Sequence, residues 1–126
     1  MRPTDEALVS AARQAKEKAY APYSHFSVGA AVDGDDGKIY TGCNVENGSY
    51  GLTSCAERNA VFAAVAAGCR KIYSVAVVAD EDYTSPCGAC RQVLAEFSAE
   101  RIILTAKDGR YRVVKATELF PQPFSL

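Results

Sequence analysis

The sequence predicts an α/β fold built on a mixed sheet. Two observations carry this. Strand-like and helix-like stretches alternate through the middle of the chain as strand, helix, strand, helix, strand, which implies a parallel core to the sheet. Two short turns, Asp33–Gly37 and Lys107–Gly109, are too brief to hold a crossover helix, so each joins an antiparallel pair.

The elements follow in order. Residues 4 to 19 read as a helix. Thr4 can cap it, Asp5 and Glu6 suit its first turn, and Lys16 and Lys18 suit its last. Ala21-Pro22-Tyr23-Ser24 ends it. Phe26 to Val32 and Lys38 to Cys43 read as strands, and the Gly- and Asp-rich turn between them makes a hairpin. Asn44 to Thr53 is a loop. Ser54 to Ala67 reads as a helix stopped by Gly68. Its stretch from Ala60 to Ala67 has no polar residue on any side, so it needs a second partner besides a sheet. Residues 71 to 79 form a Val- and Ile-rich buried strand. Ser85 to Ala99 is a third helix, with Ser85 as its cap and Pro86 at its first position. Ile102 to Thr105 and Arg110 to Val114 are the last two strands, an antiparallel hairpin.

Bulk properties narrow the function. A chain of 126 residues fits one domain, residues 1–126, and can bury a core without disulfide staples. Lys and Arg number 14 against 15 Asp and Glu, a net charge of -1, and no basic run appears. A nucleic-acid groove needs clustered positive charge, so that class is disfavoured. The first twenty residues are charged throughout, with no apolar segment for a signal peptide, and no stretch is long enough to span a membrane. A cytoplasmic protein is the expectation. Five cysteines, two of them as C-x-x-C, favour metal or redox chemistry over a disulfide framework in a reducing cytosol.

Two segments carry the chemistry: Cys55-Ala56-Glu57-Arg58 and Pro86-Cys87-Gly88-Ala89-Cys90. They offer three thiols and one carboxylate. Three cysteine ligands make a zinc site with one position left for a water, the pattern of a catalytic centre. Glu57 is then the natural base for that water. Cys87 and Cys90 fall near a helix start, where the dipole favours the thiolate that zinc needs. Three thiolates around Zn²⁺ leave a net charge of -1, which makes bound water less acidic. Arg58, hydrogen-bonding the sulfurs, would restore that acidity.

Each piece has a plainer reading. Cys87 and Cys90 alone fit two buried small residues or a thioredoxin-like redox pair. Ser54-Cys55-Ala56-Glu57 fits a capping box, which makes Glu57 a helix cap. Arg58 reads as a surface arginine. A redox pair needs no third cysteine, and a structural zinc needs a fourth ligand. His25, Cys43 and Cys69 are the remaining candidates for that ligand. Cys69 lies at the far end of a helix about 20 Å long, out of reach.

Together these residues resemble cytidine deaminase of the small, homotetrameric, three-cysteine kind. They fit its zinc pattern of Cys or His, any residue, Glu, then Pro-Cys-x-x-Cys. The likeness also takes in Pro22 to Ala30, Thr41 to Asn47, Ser49 to Thr53 and Pro123-Phe124-Ser125. The resemblance implies a three-layer sandwich: a five-stranded mixed sheet with helices on both faces and an antiparallel last pair. It implies one Zn²⁺ per chain on Cys55, Cys87 and Cys90, with Glu57 as proton shuttle. It implies that Phe26 packs on the pyrimidine, that Asn44 and Glu46 bind the ribose hydroxyls, and that Ala56 contacts substrate. Tyr50 and Phe124 match residues that neighbouring subunits lend to the site. The implied reaction is hydrolytic deamination of cytidine and deoxycytidine, in pyrimidine salvage. Gly48 and Asn59 depart from the usual pattern, and neither is expected to touch the chemistry. The rival readings are a deaminase of another cytosine nucleoside, such as blasticidin S, and a non-enzymatic zinc-stabilised module.

Overall fold

The computed structural model describes residues 2–126. Its elements are α1 (Asp5–Lys16), β1 (Val28–Gly34), β2 (Ile39–Cys43), a short 3-10 turn (Tyr50–Leu52), α2 (Ala56–Ala66), β3 (Ile72–Ala79), α3 (Gly88–Glu96), β4 (Arg101–Thr105), β5 (Tyr111–Lys115) and α4 (Ala116–Leu119). The five strands form one mixed sheet in the order β2-β1-β3-β4-β5. α1 covers one face through Leu8, Val9 and Ala12, against Ala31, Ala76, Val78 and Ile103. α2 and α3 cover the other through Ala60, Val61, Ala64 and Leu94, against Ala30, Val32, Val75, Val77, Ile102 and Leu104. The centre of the sheet is therefore apolar on both faces, which is why Val75–Ala79 shows no polar alternation.

The parallel core is present in a modified form. β3 and β4 pair in parallel, and β4 and β5 are antiparallel as expected. β1, however, lies between β2 and β3 and is antiparallel to both. β2, β3 and β4 thus run the same way, as the strand-helix alternation requires, but the hairpin puts β1 between the first two. The sequence pattern fixes strand direction and says nothing of which hairpin edge docks. The register slips between Val32 and Gly34. There the fully buried Asp33 carboxylate accepts from the Ser74 backbone N–H at 2.6 Å.

Two glycines let the helices approach the sheet. A Cβ at Gly29 would collide with the Ala12 carbonyl oxygen of α1, and one at Gly42 would stand 2.6 Å from the Ala56 carbonyl oxygen of α2. The first turn of α2 therefore sits directly on the β2 backbone.

Boundaries differ from expectation in all three of the expected helices. Thr4 caps α1 as predicted, accepting from Ala7 N–H at 3.1 Å, but the helix ends at Lys16. α2 begins at Ala56 with Cys55 in the cap position, and Ser54 does not cap it. α3 begins at Gly88, not at Ser85–Pro86, with Cys87 in its cap position. It stops at Glu96, because Ser98 takes a left-handed conformation (φ 56°) that breaks the helix. Gly68, at φ 109°, ends α2 as predicted. The outer side of α2 is uncovered: Phe62 is 49% exposed, and Ala63, Ala66 and Ala67 are exposed beside it. Among the described residues no helix is long and apolar enough to cross a membrane.

Candidate metal centre

Cys55 and Cys87 hold matching places, the cap positions of α2 and α3. Cys90 lies one turn inside α3 and is buried. Neither cap cysteine spends its side chain on capping. Both thiols are left at helix starts, where the positive end of the dipole favours thiolate. The three sulfurs lie within 4.8 Å of one another, and Cys55 Sγ and Cys87 Sγ are 3.9 Å apart. A disulfide needs about 2 Å, so these are reduced thiols. A tetrahedral zinc with bonds of about 2.3 Å holds its sulfurs about 3.8 Å apart. The donor set and its spacing fit Zn²⁺.

Among the described residues no other group of three His, Cys, Asp or Glu is placed to hold a metal. Cys69 is buried against Gly34, at the end of α2 away from the thiols. Cys43 donates from Sγ to the Lys18 carbonyl at 3.4 Å. His25 is exposed in a left-handed turn. None of the three is a fourth ligand.

Glu57 is 5% exposed, in the first turn of α2 beside the thiols. The capping box that would explain it is absent: Ser54 Oγ donates instead to Asn59 Oδ1 at 2.7 Å. Burial pushes its carboxyl up to about 7, and the neighbouring Cys55 thiolate adds to the rise. A carboxyl poised near neutrality can take and return a proton, which a surface glutamate cannot do as well.

Arg58 donates from Nη2 to Cys55 Sγ at 3.2 Å, so it faces the thiols and not bulk water. The thiols raise its already high pKa in return. Cys55 is pulled down to about 5, first by its hydrogen bond with Cys90 and then by Arg58. Cys90 is pushed up by that same pairing, by burial and by nearby Glu57.

The other expected site residues divide into two places. Asn44 is buried: its Nδ2 donates to the Phe26 carbonyl at 2.8 Å and its Oδ1 accepts from Val28 N–H at 2.9 Å. It thereby fixes the half-buried Phe26 just before β1. Glu46 accepts from Tyr23 N–H at 2.9 Å, Ser24 N–H at 3.1 Å and the Ser24 hydroxyl. The Ser24 hydroxyl bond holds its carboxyl below the usual range. Glu46 and Tyr50 line a pocket of about 420 Å³ with Tyr23, Ser24 and Thr53. Tyr50 is 75% exposed and meets Tyr23 edge-on, with centroids 5.9 Å apart. Phe124 is elsewhere, against α3, with its backbone held at both ends by Gln92. Its ring is 70% exposed. The Ala56 side chain is fully buried in the core, so what Ala56 can offer a ligand is its backbone N–H, one of the free donors of a helix start. A larger apolar groove of about 570 Å³ lies between α3 and the β5–α4 corner, lined by Leu94, Ile102 and Phe120 but by none of the three thiols. It has no metal-ligand cluster, and the chemistry belongs to the thiols.

Two residues gain roles that the sequence did not signal. Arg91, next to Cys90, bonds two segments, Ser85–Pro86 of the thiol loop and Leu119 of the C-terminal segment. Asn59 bonds the residues that precede Asn44 and Cys55. The one available hint was an Asn, a weak helix former, in a helix interior.

A zinc hydrolase is the class of protein that this sheet and thiol cluster define. The comparisons with known proteins make it specific. The family model for the cytidine and deoxycytidylate deaminase zinc-binding region matches residues 2–106. The cytidine deaminase of Sporosarcina psychrophila is 49% identical over 123 residues, covering 95% of this chain and 90% of that protein. That of Mycobacterium tuberculosis H37Rv is 44% identical over 116 residues, covering 91% and 85%. The crystal structure of cytidine deaminase from Burkholderia pseudomallei superposes with a TM-score of 0.89 at 50% identity, covering 97% of this chain and all of that one. The chain belongs to the cytidine and deoxycytidylate deaminase family.

Proposed function

We propose that this chain is a cytidine deaminase. It replaces the amino group on ring carbon 4 of cytidine with oxygen from water and releases ammonia. The observation that carries this reading is the buried Glu57, pushed to about 7, in the first turn of α2 beside Cys55, whose sulfur lies within 4.8 Å of the reduced Cys87 and Cys90 thiols of α3. Cytidine deaminases of 41–50% identity among the relatives and solved structures support the same substrate.

Cys55, Cys87 and Cys90 hold one Zn²⁺ per chain. When bound there, zinc lowers the pKa of a water from about 15.7 towards 7. Glu57 takes the proton released as that water attacks carbon 4. It delivers that proton to ring nitrogen 3, then takes the second proton of the added water and hands it to the departing amine, which leaves as ammonia. Arg58 draws charge from Cys55, which keeps three thiolates from cancelling the acidity of the centre. Asn44 fixes Phe26, whose ring packs on the pyrimidine, and has one N–H and one lone pair left for the ribose. Ala56 presents its backbone N–H to the ring. The ionised Glu46 faces the sugar hydroxyls, and its charge disfavours a phosphate at that end. Cytidine and deoxycytidine are substrates; nucleic acids are not, given a net charge of -1.

The assembly is a homotetramer with shared sites. Its support is the uncovered apolar side of α2 around Phe62, and the exposed rings of Tyr50 and Phe124. Residues 1–126 act as one catalytic domain. Five free cysteines suit a reducing, cytoplasmic setting, where the reaction serves pyrimidine salvage. The direct test is to incubate the purified protein with cytidine and follow the fall in ultraviolet absorbance with and without a zinc chelator. Turnover that resists chelation, or no turnover of cytidine, defeats the reading.

A further inference from the structure

Asn59 stands where the two halves of the site meet. Its Nδ2 donates to the Cys43 carbonyl at 2.8 Å, and its Oδ1 accepts from Ser54 Oγ at 2.7 Å. Cys43 immediately precedes Asn44, and Ser54 immediately precedes Cys55. One amide thus binds the residue before the sugar-side asparagine and the residue before the first thiol. The same corner is closed by a backbone bridge: Val45 N–H donates to the Ser54 carbonyl at 3.0 Å, and Ser54 N–H to the Val45 carbonyl at 3.0 Å. Gly42 brings the β2 backbone so near α2 that a Cβ there would lie 2.9 Å from the Asn59 carbonyl carbon. At that separation a short amide spans the gap directly. Its orientation is settled by chemistry, because the reversed amide would set Oδ1 against the Cys43 carbonyl oxygen.

We propose that Asn59 is a positioning residue that sets how far the Asn44–Glu46 segment stands from the Cys55–Glu57 turn. Resting on the deaminase reading above, this makes Asn59 a determinant of how the sugar is aligned with the reacting ring. It bonds only protein atoms, so it is not catalytic.

The test compares zinc-loaded Asn59→Ala, Asn59→Asp and Ser54→Ala with the parent protein. For Asn59→Ala, KM for cytidine should rise about tenfold while kcat stays within about threefold, since loss of alignment at the sugar weakens binding more than the proton steps. Zinc content should not change. Amide hydrogen exchange at Val45 and Ser54 should quicken about tenfold as their bridge loses its support. Asn59→Asp should match Asn59→Ala, because a carboxylate cannot donate to Cys43. Ser54→Ala, which removes one bond without touching the helix, should shift KM in the same direction by less. Parental KM in Asn59→Asp, a fall in kcat with KM unchanged, or unaltered exchange at Val45 and Ser54 overturns the proposal. A parent inactive on cytidine defeats the functional reading alone, and the exchange comparison still decides the positioning role.

Discussion

Arg91 holds the carbonyl of Leu119 at 2.9 Å, and so ties the helix that carries Cys90 to the C-terminal segment that leads to Phe124. Its other nitrogens hold the Pro86 carbonyl at 2.8 Å and the Ser85 hydroxyl at 3.0 Å. Thiol loop and tail are therefore one mechanical unit. Replacing Arg91 with Ala leaves three acceptors without their charged donor, at a cost of about 2 kcal/mol. The expected outcome is a lower melting temperature with faster zinc loss to a chelator. Arg91→Lys should recover little, since one ammonium cannot reach three acceptors in a plane. Metal release at the parental rate in both variants would separate the loop from the tail.

The metal assignment is checked by elemental analysis. Cys55→Ala, Cys87→Ala and Cys90→Ala should each lose most zinc, because two remaining thiols form an incomplete site. Cys43→Ala and Cys69→Ala should keep one zinc per chain, as neither thiol joins the cluster. Full zinc in all five variants would remove the site.

Glu57→Gln separates proton transfer from folding. With zinc bound, activity should fall by at least about 10²–10⁴-fold while the metal stays. In metal-free protein the variant should be the more stable one above neutral pH. The folded carboxyl titrates near 7 and the ordinary one near 4.5, so between those values the folded state binds more protons. The contribution of Glu57 to the parent's stability then falls as pH rises through that window, by about 3 kcal/mol in all, against an opposite change from the depressed Cys55 thiol that both proteins share. Glu57→Gln should lack this fall. Denaturant melts at pH 4.5 and pH 8 read it, and parallel curves for the two proteins would count against the buried-acid assignment.

Assembly is tested at Phe62, whose ring is 49% exposed on the outer side of α2. Light scattering should give about four chains for the parent and a smaller species for Phe62→Asp, which would place a charge in an apolar contact. That species should keep its zinc and lose most of its activity. Removal of Pro123–Leu126 should likewise cut activity with zinc retained. A fully active monomer would contradict the shared site.

Much of the scaffold is legible in the residues because two periods dominate it. Val75 to Ala79 announces a strand buried on both faces, and Gly68 announces the end of α2. The insertion of β1 between β2 and β3 was not legible, since a tight turn specifies pairing within the hairpin and not which edge meets the sheet. Ser54 and Ser85 looked like caps by composition alone. Their hydroxyls are engaged by Asn59 and Arg91 instead, and tertiary bonds have moved each helix start onto a cysteine. α4 has four residues and no side-chain cap, too little for any local pattern to reveal. The thiols and Glu57 were readable because their chemistry needs those residue types. Asn59 and Arg91 were not, because they act through the carbonyls they happen to meet.

Cys55 and Cys87 open the two helices on one side of the sheet and are 32 positions apart in the chain. A single ion held between them closes a long loop much as a cross-link would, yet reversibly. The folded population then answers to free zinc by mass action. Above its dissociation constant, each tenfold rise in zinc adds about 1.4 kcal/mol to the native state. In a zinc-starved cell the abundance of the protein, as well as its turnover, would track the metal supply.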